Sequence, residues 1–257
     1  MARATNQFEL NKKIEEFIRE KDLKKESYSP DDIAFIQQYE GSGGQGSKGA
    51  SGEGVLYEFF TPDYVVELMW ELAFRYGYNA KGSVLEPGIA TGRMIAPAPD
   101  KSRVTGFEIN PVSSRICQIT YPETKIHTGY FETAFLQAPR FTSKLKGNQV
   151  TWLENYPFSL VIGNPPYGKH KNKYSSYFAA PKMQQIELFF MYYGLRLLQS
   201  GGLLIYITSS NFIRNGISYN IEKDSIGQLA ELMDAYRLPP VFRYSEVPTD
   251  IIVLKRK

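Results

Sequence analysis

The stretch SVLEPGIATGR, residues 83–93, joins a short apolar run to a turn made largely of small residues. The run has the length of a buried strand, and Pro87 and Gly88 mark where that strand would end. Small side chains at Gly88, Ala90 and Gly92 allow the backbone amides to approach a ligand closely. In open α/β folds, a turn of this kind at the carboxyl edge of the sheet forms the usual cofactor crevice. The stretch therefore predicts an α/β fold with a binding crevice behind its first strand.

A second candidate strand, VTGFEIN at residues 104–110, carries an acid near its end, Glu108. An acid in this place commonly binds the ribose hydroxyls of an adenosine-containing cofactor. Taken alone, Glu108 is better explained as a solvated surface carboxylate. Further strand-like runs at residues 125–128 and 203–207 alternate with helical patterns. We therefore expect a mostly parallel sheet with helices on both faces.

The tetrapeptide Asn164-Pro165-Pro166-Tyr167 follows the apolar run at residues 158–162, so it lies where a strand ends and a loop opens. An amine conjugated to a purine ring is a poor nucleophile, because its lone pair is delocalised into the ring. An Asn side-chain oxygen and a carbonyl held by two prolines are suited to accept both N–H hydrogens and to favour a tetrahedral nitrogen. Tyr167 offers a flat face for stacking. On its own, the tetrapeptide is also consistent with a Pro-rich turn that has no chemical function.

Together, these segments resemble the S-adenosylmethionine (SAM)-dependent DNA methyltransferases that methylate amino groups, specifically the adenine enzymes with the gamma order of motifs. The resemblance covers about residues 57–257. Seven segments carry it: FFTP at 59–62, LEPGIATG at 85–92, EINP at 108–111, NPPY at 164–167, GGLLIYI at 201–207, SSNF at 209–212 and VPTDIIVL at 247–254. Residues 39–62 are more loosely similar to phage and plasmid methylases of the anti-restriction type.

The resemblance implies a Rossmann-like class I methyltransferase with a mostly parallel seven-stranded sheet. It implies SAM as cofactor and the N6 amine of adenine in DNA as methyl acceptor, reached by flipping the base out of the stack. The implied catalytic residues are Asn164, Pro165, Pro166 and Tyr167. The implied cofactor-binding residues are Phe59, Thr61, Glu86, Pro87, Gly88, Ala90, Gly92, Glu108, Ile109, Gly129 and Tyr130.

Two positions depart from the family pattern. Ala90 stands where many members carry Gly. After the third strand, the family usually places an acid before an aromatic residue, but this chain has Gly129-Tyr130. Tyr130 is still able to stack on the cofactor's adenine, and Glu132 is a candidate to supply the carboxylate from a shifted position. The identity of the cofactor is therefore a firmer expectation than its affinity.

The loop KHKNKYSSY, residues 169–177, has three lysines, two tyrosines and no acid. Many exposed basic loops are only solvated. Beside a base pocket, however, we expect Lys169, Lys171 and Lys173 to contact nucleic-acid phosphates. Phe242, just before the last strand, is expected to pack against the flipped base from the side opposite Tyr167. A general base such as His170 is not required, because a sulfonium is already a reactive methyl donor.

Composition agrees with an intracellular α/β enzyme. The chain has 257 residues, 42% of them hydrophobic, which suits one full-sized domain. Cys117 is the single cysteine and there are two histidines, so neither an intrachain disulfide nor a zinc cluster is expected, and we predict no metal site. No long apolar run or signal-peptide pattern is present, so we expect a cytoplasmic protein without a membrane partner. The net charge of +3 permits, but does not require, nucleic-acid binding.

Residues 1–56 are interpreted as an N-terminal extension to a catalytic domain at residues 57–257. Leu10, Ile14, Phe17 and Ile18 keep helical spacing, and SPDD at 29–32 is typical of a helix start. Residues 41–54 carry seven glycines and predict a flexible segment. Within it, GQGSKG at 44–49 has the G-x-G-x-x-G spacing. No strand precedes this hexapeptide and no periodic helix follows, so a phosphate-binding role is not expected.

Two further helix boundaries follow from local signals. Thr61-Pro62 is typical of an N-cap followed by proline at the first helical position, and that helix should end at Gly77. A second helix has Ile186, Phe190, Tyr193 and Leu197 on one side, and Gly201-Gly202 should end it.

A methylase of this type normally has a target-recognition domain after its last catalytic strand, and this sequence ends beside that strand. The resemblance implies DNA as the partner. Recognition of the target sequence would be supplied by a separate specificity subunit or by a removed C-terminal domain, or the enzyme would read little sequence. Two alternatives stay open. Methyltransferases of RNA adenine or of protein glutamine share N-P-P-Y, and a degenerate fold could bind DNA or a partner without catalysis.

Overall fold

The computed structural model describes residues 2–41, 60–135, 158–178, 181–214, 219–242 and 247–257, with side chains from Gln7 onward. The glycine-rich segment beyond Gly41, including GQGSKG, lies outside the described residues. The centre of the molecule is a seven-stranded sheet in the order β3-β2-β1-β4-β5-β7-β6. Its strands are β1 Val84–Glu86, β2 Val104–Glu108, β3 Lys125–Thr128, β4 Phe158–Gly163, β5 Leu198–Ser209, β6 Ala230–Arg237 and β7 Thr249–Arg256.

The five neighbouring strands β3, β2, β1, β4 and β5 pair in parallel, and β7 runs antiparallel to both β5 and β6. In this register, Val84 of β1 aligns with Val104 of β2 and with Leu160 of β4. Strands β1, β2 and β4 are buried along nearly their whole length, as expected for parallel strands covered on both faces. The topology confirms the predicted fold class. It also brings the carboxyl ends of β1, β2 and β4 to one edge of the sheet.

Helices cover both faces of the sheet. Because neighbouring strand residues point to opposite faces, Ile205 of β5 joins an apolar cluster with Met69, while Leu204 joins another with Phe189. None of the described helices is long and apolar enough to cross a bilayer. The described helices are α1 Ala2–Lys24, α2 Pro30–Ile36, α3 Asp63–Arg75, α4 Pro111–Thr120, α5 Ile186–Arg196 and α6 Asn220–Leu229.

Helices α1 and α2 belong to a third apolar cluster together with α4. Ile14 and Ile36 are fully buried there with Ile116. At the start of α2, the Ser29 hydroxyl accepts from the Asp32 amide, and the Asp32 carboxylate accepts from the Ser29 amide at 2.7 Å. This reciprocal cap satisfies two amides that a helix start leaves open. The helix predicted around Ile14 and the helix start predicted at residues 29–32 are thereby confirmed.

The predicted N-cap of α3 is wrong by one residue. Pro62, not Thr61, occupies that position, and its carbonyl accepts from the amides of Val65 and Val66 at 2.9 and 3.1 Å. No side chain caps this helix start. Thr61 is instead buried, only 6% exposed. Its hydroxyl therefore does not cap the helix, and Thr61 lines the cleft described below.

The predicted end of α5 is also wrong. The helix ends at Arg196, and both Gly201 and Gly202 lie inside β5, which begins at Leu198. Leu198 pairs with Phe158 of β4, and the register of this pairing then shifts before Leu160. Pairing with a neighbouring strand therefore extends β5 through glycines that resemble a helix stop in the sequence alone.

Candidate active site

One cleft opens at the carboxyl ends of β1 and β4, where the turn after β1 faces the start of the N-P-P-Y tetrapeptide. Since β1 and β4 are hydrogen-bonded neighbours, the segments that follow them leave the sheet side by side. The cleft is lined by Phe60, Thr61, Glu86, Gly88, Ile89, Ala90, Thr91, Arg93, Met94 and Asn164. Four of the expected cofactor residues thus share one cleft with the expected amine acceptor. Phe59 lies outside the described residues.

Glu108 is fixed at the end of β2 by the backbone around it. Its Oε2 accepts from the Ala90 amide at 2.9 Å, and its Oε1 accepts from the Asn110 amide at 2.7 Å. The Gly129 amide donates to the Glu108 carbonyl at 2.8 Å, which draws the turn after β3 to the same place. Beside the carboxylate, Ile109 is 36% exposed. A held carboxylate next to an exposed apolar side chain fits a ribose joined to a flat base.

Glu86, the last residue of β1, is a buried carboxyl group with one unsatisfied oxygen. The residue is 1% exposed, and within the described structure its Oε2 has no hydrogen-bond partner. Burial, reinforced by the charge of Glu108, raises the pKa of Glu86 well above its ordinary value, although a hydrogen bond from the Gly88 amide acts in the opposite direction. An unsatisfied buried acceptor is costly unless a ligand donates to it. The ammonium group on the methionine part of SAM is a donor that fits.

Residue 163 must be glycine for Glu86 to occupy this position. A Cβ built on Gly163 would lie 2.4 Å from Glu86 Oε1, closer than real contacts allow. Gly163 is the last residue of β4 and directly precedes Asn164. The buried carboxyl group therefore packs against the backbone that leads into the tetrapeptide, and this contact couples the two halves of the cleft.

The turn after β1 contains two residues in the left-handed backbone region. Gly92 has φ of 89°, and a Cβ there would lie 2.7 Å from Cys117 Sγ. Ala90 has φ of 47°, a conformation that costs a residue with a Cβ roughly 1–2 kcal/mol. The alanine that replaces the family's glycine thus keeps the glycine-like backbone and carries the strain. Its amide remains aimed at Glu108.

A hydrogen bond joins the first and last residues of the tetrapeptide. Pro165 is buried and Pro166 is exposed. The Tyr167 hydroxyl donates to Asn164 Oδ1 at 2.8 Å. Burial, with the nearby charge of Glu187, raises the pKa of the Tyr167 hydroxyl, so it remains a protonated donor.

Glu187, in the first turn of α5, was not foreseen from the sequence. It is 7% exposed, and its Oε2 accepts from the Gly168 amide at 3.1 Å, directly after the tetrapeptide. Burial raises the pKa of Glu187, and the hydrogen bonds from Gly168 and from the Ser209 hydroxyl oppose that shift. The signal available in the sequence was one acid near the start of an otherwise apolar helix, IELFFMYYGLR.

The loop after the tetrapeptide presents its lysines to solvent. Lys169, Lys171 and Lys173 are all exposed. The Lys173 ammonium lies 4.7 Å from the centre of the Tyr130 ring and 5.2 Å from that of Tyr174, so both rings attract it. Tyr130, expected beside the cofactor's adenine, is therefore also in contact with this loop.

One expectation needs revision in this structure, and another stays a prediction. Glu132 does not supply a carboxylate to the cleft, because the residue is 2% exposed and its carboxylate is hydrogen-bonded to His170 and Asn172. Phe242 is 8% exposed within the apolar cluster that contains Ile251, so stacking on a base requires its ring to leave that cluster, and this role stays a prediction. Among the described residues, no group of three or more His, Cys, Asp or Glu side chains is arranged to hold a metal ion.

Comparison with known proteins identifies related sequences. Residues 103–234, more than half of the chain, match the family model described as Eco57I restriction-modification methylase. The chain is 27% identical over 207 residues to "Defense against restriction protein B" of Escherichia phage P1. That match covers 80% of this chain but 8% of the phage protein. The chain thus corresponds to a small part of this much longer relative.

Solved structures share the fold. The methyltransferase subunit of a type I restriction-modification system from Streptococcus thermophilus superposes with a TM-score of 0.59 at 18% identity, over 77% of this chain and 45% of that one. The protein of the DrdV–DNA complex superposes with a TM-score of 0.56 at 16% identity, over 77% of this chain and 26% of that one. At such low identity, these neighbours establish the architecture and not the substrate.

Proposed function

Because this chain belongs to the Eco57I restriction-modification methylase family, whose cofactor is SAM, we propose that it methylates the exocyclic N6 amine of adenine in DNA. The observation that carries the proposal is the shared cleft. Asn164, the expected amine acceptor, lines the same cleft as Glu86 and the turn around Gly88. A methyl donor held by that turn and an amine held by Asn164 would meet within one cleft.

When bound, SAM supplies an electrophilic methyl group on a sulfonium centre. Glu108 would accept hydrogen bonds from the ribose hydroxyls of SAM, and Glu86 would accept one from its ammonium group. Toward the base, Asn164 Oδ1 and the Pro165 carbonyl would accept the two amine hydrogens and favour a pyramidal nitrogen. This polarisation matters most as the new bond forms, so it lowers the barrier more than it strengthens ground-state binding.

The chemistry needs no general base on the protein. The amine loses its proton after it has gained the methyl group, and the proton leaves to solvent. The side chain of His170, the only described histidine near the tetrapeptide, is buried, and its Nε2 lies 3.0 Å from Glu132 Oε1. It is therefore not presented to the cleft as a base.

Duplex DNA would have to release its adenine from the stack, at a cost of a few kcal/mol. Stacking on Tyr167 could return about 1–3 kcal/mol of this. The exposed lysines of the loop would hold the flanking phosphates and give a salt-dependent, sequence-independent contribution. We therefore propose DNA as the substrate, with base-edge recognition supplied by a separate subunit or by a further domain of a longer protein.

The decisive experiment is to incubate the chain with methyl-labelled SAM and, in parallel, with DNA, RNA and a protein extract. The expected outcome is label in DNA only, recovered as N6-methyldeoxyadenosine after digestion to nucleosides. Label in RNA or in protein glutamine would replace the proposal with one of the alternative acceptors. SAM binding without transfer to any pool would identify a binding protein instead.

The loop of residues 169–177, called the lysine loop below, can be tested separately within this proposal. Each lost phosphate contact should reduce the slope of log affinity against log salt by about one, so Lys171→Ala should flatten that slope. Lys81→Ala is the matched control, because Lys81 is exposed just before β1, at the opposite edge of the sheet. Equal slopes for the two variants would remove the loop from the DNA-binding surface.

A further inference from the structure

A buried carboxylate connects two loops that are about forty residues apart in the chain. Glu132 lies in the short 3-10 helix Phe131–Phe135 after β3, and its side chain is 2% exposed. Its Oε1 accepts from Asn172 Nδ2 at 2.6 Å and lies 3.0 Å from His170 Nε2. Both partners belong to the lysine loop that follows the tetrapeptide. Since a buried carboxylate is costly unless hydrogen-bonded, this arrangement favours one docked position of the loop.

The partners of Glu132 in turn organise the loop. Asn172 Oδ1 accepts from the Tyr174 amide at 2.9 Å, and the Asn172 carbonyl accepts from the Ser175 hydroxyl at 2.9 Å. The His170 ring lies 4.2 Å from the Phe189 ring of α5. One side chain of the loop thus contacts Glu132 while fixing the backbone that carries the neighbouring lysines.

Two backbone hydrogen bonds that do not involve Glu132 join the start of the loop to residues 184–186. The Ile186 amide donates to the Gly168 carbonyl at 2.7 Å, and the His170 amide donates to the Gln184 carbonyl at 2.8 Å. Without the carboxylate, the loop would remain attached at this base. Its exposed part, with Lys171 and Lys173, would lose the contact that orients it.

The segment that carries Glu132 also contacts the cofactor side of the cleft. Gly129 donates to the Glu108 carbonyl, and Tyr130 packs edge-on against Tyr174 with ring centres 5.2 Å apart. Four consecutive residues, 129–132, therefore contact both the strand end that carries Glu108 and the loop that carries the lysines. The two surfaces are thus joined by one short segment.

We propose that Glu132 is a positioning residue that docks the lysine loop and preorganises it to bind the phosphates of a nucleic acid. The identity of that ligand rests on the proposed function, whereas the docking of the loop does not. Preorganisation raises affinity because the free loop has already lost the conformational freedom that binding would otherwise remove. Glu132 touches neither reacting group, so its effect should appear in nucleic-acid binding and not in the chemical step.

The first test is a double-mutant cycle with Glu132→Ala and Asn172→Ala, using duplex DNA as the probe. Each single change should raise the KM for DNA about tenfold while leaving kcat and the Kd for SAM within about threefold. The loss in the double variant should be smaller than the sum of the two single losses, because both changes remove the Glu132–Asn172 contact while each also removes one further contact. Additive effects, or an equal rise in the Kd for SAM, would overturn the proposal.

Two controls separate docking from a general loss of structure. Glu132→Gln keeps an oxygen that accepts from Asn172, so it should recover KM to within about threefold of the unchanged protein. Glu123→Ala alters an exposed acid just before β3 and should change nothing. Failure of the Gln variant together with a lowered melting temperature would mean that Glu132 serves only the fold, which contradicts the proposal.

A second readout needs neither methyl transfer nor DNA. Limited digestion of the folded chain with trypsin should cleave after Lys171 and Lys173 faster in Glu132→Ala than in Glu123→Ala, while the rate at Lys81 stays equal. If no variant methylates DNA but this difference appears, the proposed function fails and the docking stands. Equal cleavage rates at the loop lysines would overturn the docking itself.

Discussion

The Tyr167 hydroxyl donates a hydrogen bond to Oδ1 of Asn164 at 2.8 Å. This contact determines which end of the Asn164 amide is the acceptor, since the oxygen faces the hydroxyl. A carbonyl oxygen has two lone pairs and can accept two hydrogen bonds. Tyr167 is thus more than a stacking face, because its hydroxyl also orients the group expected to polarise the substrate.

Asn164→Ala should reduce kcat for methyl transfer by at least about a hundredfold, as expected when an aligned hydrogen-bonding group is removed from a transition state. The Kd for SAM should change by less than about threefold, because Asn164 contributes only one wall of the cofactor cleft. Single-turnover transfer and calorimetric titration with SAM measure the two quantities. Activity within a few-fold of the unchanged protein would remove Asn164 from the catalytic set.

Tyr167→Phe keeps the ring and deletes the hydroxyl that orients Asn164. Loss of one neutral hydrogen bond should lower kcat about two- to tenfold, with little change in the KM for DNA. Tyr167→Ala also removes the stacking face and should weaken base binding by a further 1–3 kcal/mol or so. The comparison of kcat and KM for the two variants separates orientation from stacking. Identical losses in both variants would contradict that separation.

Glu108→Ala should raise the Kd for SAM more than about tenfold, because a charged acceptor for the ribose hydroxyls is lost. The change also leaves the Ala90 and Asn110 amides without their acceptor, so the turn itself should loosen. Calorimetry with SAM measures the affinity. Glu123→Ala, on the exposed turn before β3, is the matched control. An unchanged Kd would show that the ribose binds elsewhere.

Glu86→Gln should stabilise the free protein at neutral pH and weaken its SAM binding. The folded-state pKa of Glu86 is raised above 4.5, so its stabilising contribution is complete below that pH and is lost as the pH rises toward the folded pKa. Glutamine does not ionise, so the variant does not lose stability in this way as the pH rises. The gain in melting temperature should therefore grow over the pH range between the unfolded-state pKa and the raised folded-state pKa. A gain that is constant across this range would exclude the ionisation as its cause.

Ala90→Gly and Gly92→Ala should change stability in opposite directions. Glycine relieves the left-handed strain at residue 90, and after its own entropic cost the net gain should be about 0.5–1 kcal/mol. Alanine at residue 92 would be strained and would clash with Cys117 Sγ, so a loss of more than about 2 kcal/mol is expected. Chemical denaturation measures both. Destabilisation by Ala90→Gly would mean that the methyl group makes a favourable packing contact.

The sequence determined the positions of the strands that carry the predicted site residues. Alternating runs, a small-residue turn and the N-P-P-Y tetrapeptide are local signals, because strand length and turn conformation depend on neighbouring residues. The roles predicted for Glu108 and Asn164 rest on the resemblance to a family, whereas β2, β3 and β4 begin where the local pattern indicated. Parallel order then brings these strand ends to one edge, so the location of the cleft follows from the pattern as well.

Only the tertiary structure decided which partners the buried acids have. Glu86 packs against Gly163, Glu132 binds Asn172, and Glu187 holds the Gly168 amide, in each case across a long stretch of chain. A sequence pattern shows that an acid is present but not what lies beside it after folding. A buried carboxylate must be hydrogen-bonded, yet the donor is selected by which loops the sheet order brings together. For this reason Glu132, a candidate cofactor ligand in the sequence, instead accepts a hydrogen bond from Asn172 in the fold.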